Sequence, residues 1–379
     1  MSRLLAFVIV LSEAHNMMTA RMVGNLPLPS VLLIGWLVSA AAGAERPARA
    51  IPDAATTRDR FLKLLDRPCP PLNPREQPVV FEQGLQEIRF DFASEANQRV
   101  TGILVKLEMA VGRIPAVFIL HGTGGSKESL RPVLRRFASH GFVAVAIDAR
   151  YSGERSGGGK GGETYRAEIF KTWQSGQAFP FLYDTVWDTM RLIDYLETRA
   201  DIDPKRIAGI GFSKGGIELY LAAAADTRIA AAVPCIGVQS FAWALEHDAW
   251  HSRVGTIQSA VDLAAAEEGV KSIDAAFVRR FYDRVVPGIE NEFDGPVMLP
   301  LIAPRHLLVI NGDSDDRTPR PGLELCVEAA RVAFDRASAS DRFEFILQPN
   351  TGHAVTPRSQ EYTLDWLSRR LLNRESVSK

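Results

Sequence analysis

The residues 207–221 read IAGIGFSKGGIELYL, and within them Gly211-Phe212-Ser213-Lys214-Gly215 has the spacing G-x-S-x-G. An apolar run ends at Ser213 and a helical pattern starts at once. A serine held on a sharp strand-to-helix turn can act as a nucleophile, because the turn lifts its hydroxyl clear of the sheet. The positions two before and two after it crowd its backbone, and Gly211 and Gly215 keep both small. The plain alternative is a serine capping an ordinary helix. Capping needs no flanking glycines, and each glycine in a helix costs about 1 kcal/mol against alanine. The turn explains that cost and capping does not.

A nucleophile of this kind needs an electrophile site and a base. The segment ILHGTGGS, residues 119–126, follows an apolar run and is rich enough in glycine to aim backbone N–H groups at a developing oxyanion. The donors expected are the N–H of Thr123 and the N–H of Lys214, the residue after the serine. The alternative is a simple Gly-rich turn.

For the base, strand–serine–helix sites of this type run in the order serine, acid, histidine. Of seven histidines, only His306 and His353 lie beyond Ser213 and outside a helical insertion. His306 opens an apolar run before any candidate acid. His353, in PNTGHAVTP, falls in a loop between the final strand and helix patterns. The acid should follow the preceding strand, where VINGDSDDRTP offers Asp313, Asp315 and Asp316. Asp315 is the first choice and Asp316 the second.

These groups need a scaffold. LQEIRFDF and QRVTGILVKLE alternate apolar and polar residues on either side of ASEAN, which predicts a β-hairpin. PAVFILHG and FVAVAIDAR are short continuous apolar runs, as expected of strands covered on both faces. KESLRPVLRRFASHG, DTVWDTMRLIDYLETR, KGGIELYLAAAAD, PGLELCVEAARVAFDRA and RSQEYTLDWLSRRLLN have helical periodicity. They alternate with the strand-like RIAGIGFS, IAAAVPCIGV, HLLVINGD and RFEFILQP. The fold class expected is α/β: a doubly wound, mostly parallel sheet with an N-terminal antiparallel hairpin and a helical insertion.

Two segments interrupt the alternation. Residues 151–182 contain SGERSGGGKGGE, whose plainest reading is a surface loop. A phosphate loop is excluded there, because Gly161 follows Gly159-Lys160 and supplies no hydroxyl for a metal. Residues 239–303 form the helical insertion, a possible lid. Tyr151, Arg155, Trp243 and Trp250 lie in or beside these segments and are candidate substrate contacts.

Taken together, the residues resemble the α/β-hydrolase superfamily from about residue 77 to the C-terminus. IDARYSGER, FLYDTVWDTMRLIDYLETRADIDPKRIAGIGFSKGG and NGDSDDRTP are most similar to dienelactone-hydrolase-like and acetyl-xylan-esterase-like serine hydrolases. The resemblance implies a Ser213–Asp315–His353 triad, no cofactor and a small-molecule ester as substrate. It departs at two points: dienelactone hydrolases proper carry cysteine as nucleophile, and Lys214 stands where an apolar or amide residue is commoner. The rival readings are an exopeptidase or amidase acting on short peptides, and a non-catalytic ligand-binding protein on the same fold.

Composition bounds the rest. Lys and Arg total 44 against 45 Asp and Glu, with the signs mixed along the chain. No basic stripe suggests nucleic acid as a partner. Cys69, Cys235 and Cys326 show neither metal-ligand nor paired-disulfide spacing, although one disulfide through Cys69 is conceivable. From Met22 to Ala44 the chain is uncharged. VLLIGWLVSAAAGA there joins an apolar run to Ala42-Gly43-Ala44, an order that predicts a secretory signal cleaved after Ala44. The alternative is an uncleaved membrane anchor. The domain expectation is therefore a signal and upstream segment at 1–44, a lead-in at 45–80 and an α/β-hydrolase domain at 81–379. With cleavage no stable membrane partner is expected and the product is secreted or periplasmic; oligomeric state is not legible.

Overall fold

The computed structural model describes residues 53–157 and 162–372. The expected signal segment, most of the Gly-rich run and the last residues lie outside that range. Ten strands join in one sheet among the described residues. They are β1 Arg75–Glu76, β2 Val80–Glu82, β3 Leu85–Glu95, β4 Gln98–Leu107, β5 Ile114–Leu120, β6 Val143–Ile147, β7 Ile202–Phe212, β8 Ile229–Cys235, β9 His306–Gly312 and β10 Phe343–Gln348. The order across the sheet is β1-β3-β4-β6-β5-β7-β8-β9-β10, with β2 also on β3. β3 and β4 form the antiparallel hairpin and β4 meets β6 antiparallel. From β6 to β10 every neighbour is parallel.

The helices are α1 Ala54–Leu65, α2 Arg131–Ser139, α3 Glu163–Ser175, α4 Tyr183–Thr198, α5 Lys214–Ala225, α6 Phe241–Glu246, α7 His251–Val254, α8 Gln258–Glu267, α9 Ala275–Val285, α10 Gly295–Met298, α11 Arg320–Arg336 and α12 Pro357–Leu367. Side chains alternate across a strand, so each central strand feeds two cores. Ala116, Phe118 and Leu120 of β5 pack with α1, α4, α5, α11 and the α6–α9 helices, whereas Val117 and Ile119 pack with α2 and α12. The same split divides β6 and β9. A continuous apolar run is what a strand buried on both faces requires.

Some boundaries differ from the sequence expectation. The lead-in expected at 45–80 bears the one short helix that TTRDRFLKLLDR suggests, α1, but Phe61 and Leu65 of that helix are buried in the main core, and β1 and the start of β2 join the sheet. Residues 163–175 form α3, with Tyr165, Ile169 and Trp173 buried. Its apolar residues recur at helical spacing, but the neighbouring glycines mask the pattern. The cysteines are unbonded, Cys69 exposed and Cys235 and Cys326 buried.

The winding fixes where a ligand can go. The chain passes from β5 outward to β6, then returns to lay β7 on the other side of β5. That reversal opens a crevice at the carboxyl ends of β5 and β7, where Leu120 faces Gly211. Ser213 follows β7 directly and residues 121–126 follow β5. β9 and β10 are also neighbours, with Gly312 opposite Gln348, so the loops carrying Asp315 and His353 leave the same edge together.

Close packing at this edge depends on two glycines. A Cβ on Gly211 would fall 2.1 Å from the Gly215 carbonyl oxygen, and one on Gly215 would fall 2.5 Å from the Leu120 carbonyl oxygen. Both obstacles are backbone, so no rotamer relieves them. Gly211→Ala is therefore expected to lower stability by about 3 kcal/mol or more, the upper range for overpacking. Urea unfolding would check this; a variant that unfolds at the wild-type midpoint contradicts the packing argument.

Candidate active site

Ser213 sits between the last residue of β7 and the first of α5 with φ 55° and ψ −117°. An L-residue in that region stores about 1–3 kcal/mol of strain. The strain is held from both sides: its N–H donates to the Cys235 carbonyl at 2.9 Å, and its own carbonyl accepts from Gly216 and Ile217. The side chain caps nothing. Its hydroxyl instead lies 2.8 Å from His353 Nε2.

The Nδ1 of His353 lies 2.8 Å from Oδ2 and 3.0 Å from Oδ1 of Asp315. Asp315 is nearly fully buried. Burial works against its charge, yet the His353 hydrogen bond, the Thr318 hydroxyl and the Arg317 N–H hold its pKa below the ordinary carboxylate value. An ionised Asp315 fixes the tautomer with the proton on Nδ1, which leaves Nε2 to accept from the serine. Asp313 turns outward to Ser314 and to the N–H groups of Asn350 and Thr351, so it braces the His353 loop. Asp316 is exposed and makes no contact with the histidine. His306 is turned toward Trp366.

Thr123 and Lys214 line the crevice beside Ser213 and His353. Lys214 begins α5, so its N–H has no intrahelical acceptor. Its side chain does not enter the reacting space: the ammonium pairs with buried Glu218 at 2.5 Å and lies over the Tyr165 ring. The Thr123 hydroxyl is buried without a hydrogen-bond partner. The loop carrying Thr123 is anchored by His121, whose Nε2 accepts from the Ala149 N–H at 3.1 Å and whose Nδ1 lies 2.8 Å from the Gly122 carbonyl. Only the neutral ring with its proton on Nδ1 satisfies both contacts.

The four candidate substrate contacts lie elsewhere. Arg155 pairs with Asp188 at 2.7 Å and also donates to the Asp148 carbonyl; Arg150 shares the same buried carboxylate. Tyr151 packs at the border of the main core. Trp243 stacks on His247 beside Gly322, and Trp250 is a buried core residue stacked on His251. None of the four is among the residues that line the crevice beside Ser213 and His353.

The crevice holds ≈ 420 Å³ of open space, the mouth included. Its other walls are Phe181, Ile217, Ile236, Gly237, Gln239 and Phe241, with Ser252, Arg253 and Thr256 from the helical insertion and Arg317 and Thr318 from the loop after β9. Sequence reasoning missed Arg253. By spacing it is one cation among many, and only folding buries it.

The sheet order and the helices on both of its faces are those of the α/β-hydrolase fold, shared with solved esterases. The acetyl xylan esterase (AXE1) family model matches residues 72–242. An acetyl xylan esterase from Paenibacillus sp. R4 superposes with a TM-score of 0.61 at 19% identity, covering 84% of this chain and 94% of that one. The acetyl xylan esterase 1 of Thermoanaerobacterium gives 0.60 at 16% identity, with 84% and 93% covered. A 4-O-methyl-glucuronoyl methylesterase of Neurospora crassa is 26% identical over 204 residues, 52% of this chain and 50% of its own length. The chain is an enzyme of the carboxylic ester hydrolase class.

Buried His121 has a consequence for stability. Burial first, and then the nearby Lys214 charge, lower its pKa to about 4 from 6.5. Between those values the unfolded chain binds a proton that the folded chain refuses, so stability rises with pH across this window and falls on acidification. The contribution is about 3 kcal/mol, fully present above pH 6.5. His306, also lowered to about 4 by burial and then by Arg370, acts in the same direction. Urea midpoints from pH 7 to pH 4.5 should therefore fall, and His121→Gln should flatten the slope; an unchanged slope in that variant contradicts the assignment.

Proposed function

We propose that Ser213, His353 and Asp315 hydrolyse a carboxylic ester through an acyl-enzyme. The observation that carries this reading is the unbroken hydrogen-bonded series from the Ser213 hydroxyl through the imidazole to a buried carboxylate. Ser213 Oγ attacks the ester carbonyl carbon while its proton passes to His353 Nε2. The N–H groups of Thr123 and Lys214 take the charge on the carbonyl oxygen. As the intermediate collapses, the C–O bond to the alcohol breaks and the imidazolium returns its proton to the departing oxygen. Water then repeats the sequence on the acyl-enzyme, giving a carboxylic acid and free Ser213. Asp315 stays ionised throughout and stabilises the imidazolium.

The acyl group proposed is acetyl or another short chain, on a small-molecule alcohol such as a sugar. The similarity to acetyl xylan esterases supports this, as does the confined space between Phe181, Ile217 and Phe241. The helical segment between β8 and β9 supplies part of that wall and is proposed as a fixed cover. Turnover of p-nitrophenyl esters should be greatest at acetyl and decline with chain length. Ser213→Ala should lower kcat by at least about 10³-fold, and Asp315→Asn by about 10⁴-fold. Melting temperatures should stay within a few degrees of wild type, and a fluorophosphonate probe should label the wild type alone. Full esterase activity in Ser213→Ala would falsify the assignment.

The sequence order of charge, apolar run and Ala42-Gly43-Ala44 supports export with cleavage after Ala44. No helix of the described residues is long and apolar enough to cross a membrane. Mass spectrometry of the protein recovered from its native host should place Glu45 first; a mature chain beginning upstream of Ala44 would rule out that cleavage site.

A further inference from the structure

Among the described residues most buried cations are held by carboxylates or backbone carbonyls, and Arg253 at the crevice is not. Arg150 is flanked by Asp188, Asp184 and Glu95, and Lys127 by Asp148. Arg305, which has no carboxylate partner, donates to the carbonyls of Ala223, Asp226, Ile229 and Leu301. Arg253 differs. It is only 5% exposed, its Nε donates to the Ser252 hydroxyl at 3.1 Å, and its guanidinium lies 5.4 Å from the centre of the Phe241 ring. Its Nη2 is buried with no partner. Asp294 and Asp315 are close enough to be felt, but both are engaged elsewhere, Asp294 by Ser240, Phe241, Ala242 and Gly295, and Asp315 by His353. Burial outweighs these charges and lowers the Arg253 pKa to about 10. At neutral pH it is still a cation.

A buried cation without a counter-charge is unfavourable, and replacing such a group by an uncharged one commonly stabilises a protein. Arg253 lines the same crevice as Ser213 and His353. Arg317, exposed on the opposite loop, adds a second positive group at that crevice. Gln239, Ser252 and Thr256 are polar but neutral, and the two carboxylates behind the wall are engaged, Asp315 by the imidazole and Asp294 by Ser240 and the Phe241 N–H. The crevice therefore has a positive end that the chain itself leaves uncompensated.

We propose that Arg253 is a specificity-determining residue whose Nη2 receives a free carboxylate on the substrate. The preferred esters then carry an acid group beside the ester to be cleaved, as in a half-ester of a short dicarboxylic acid or an ester on a sugar acid. A carboxylate fits because its planar pair of oxygens matches the edge of a guanidinium, and because desolvated charge-assisted hydrogen bonds are the strong ones. This inference rests on the esterase reading for the location of the substrate, but the subsite can be measured without turnover.

The experiment uses the full chain carrying Ser213→Ala, with monomethyl succinate and dimethyl succinate as probes in calorimetric titrations at pH 7.5 and low salt. The anionic half-ester should bind at least tenfold more tightly than the neutral diester. Adding Arg253→Gln should bring that ratio to about one, whereas Arg253→Lys, which keeps the charge, should retain part of it. The melting temperature of Arg253→Gln should equal or exceed that of its parent, because an unpaired buried charge has gone. Equal affinity for the two probes, or a preference that survives Arg253→Gln, overturns the proposal. A lowered melting temperature with an unchanged ratio would make Arg253 structural and also overturns it. Hydrolysis of the half-ester by Ser213→Ala would instead count against the serine as nucleophile, and the binding ratio would still be readable.

Discussion

The backbone at Ser213 is the constraint on which the rest of the site depends. With φ at 55° and ψ at −117°, the residue joins a strand to a helix without an intervening loop. That geometry persists only because β7 and α5 pack against each other and against the end of β5 at backbone contact, with hydrogen at Gly211 and Gly215 where any other residue has carbon. The Cys235 carbonyl from the adjacent strand β8 then holds the serine N–H. Strain at one residue is thus balanced by the packing of three strands and a helix, and the hydroxyl is aimed by the sheet rather than by its own rotamer preference.

The same edge gathers groups that could not otherwise meet. Asp315 and His353 are carried by loops from neighbouring strands, so their separation is set by strand spacing. His121, buried and neutral, ties the loop after β5 to the residue following β6. Beneath them, buried carboxylates neutralise most of the cations that the fold takes out of water: Asp148 holds Lys127, Asp188 holds Arg150 and Arg155, and Glu218 holds Lys214. These pairs add rigidity at the cost of desolvation, a balance that is commonly near neutral for stability. Against that background Arg253, in the insertion between β8 and β9, stands out as a crevice cation whose Nη2 has no partner.

Much of this architecture is legible in the chain itself. Continuous apolar runs in β5, β6 and β9 announce strands covered on both faces, and the alternation in β3 and β4 announces a hairpin with a wetter side. Other features are hidden. The helix at Glu163–Ser175 follows a glycine-rich run that obscures its periodicity, and α1, legible as a helix in TTRDRFLKLLDR, gives no sign along the chain that it packs into the main core. Tyr151, Arg155, Trp243 and Trp250 were reasonable contacts by position, since each stands in or near a loop at the right edge. Sequence position does not say which way a side chain turns: Arg155 pairs with Asp188, and Trp243 and Trp250 stack on His247 and His251.

By itself the sequence determined the α/β winding, the strand–serine–helix turn with its obligatory small neighbours, and the chain order in which an acid and a histidine had to follow. These are local or periodic properties, fixed by sterics within a few residues and by the two-residue repeat of a strand. Tertiary structure decided which of three neighbouring aspartates faces the imidazole, where the Lys214 ammonium goes, and which arginine reaches the crevice without a carboxylate partner. Those outcomes depend on distances between segments far apart in the chain, and on which charges burial forces together. Hydrogen bonding and desolvation act over a few ångströms in space, and no spacing along the backbone encodes that separation.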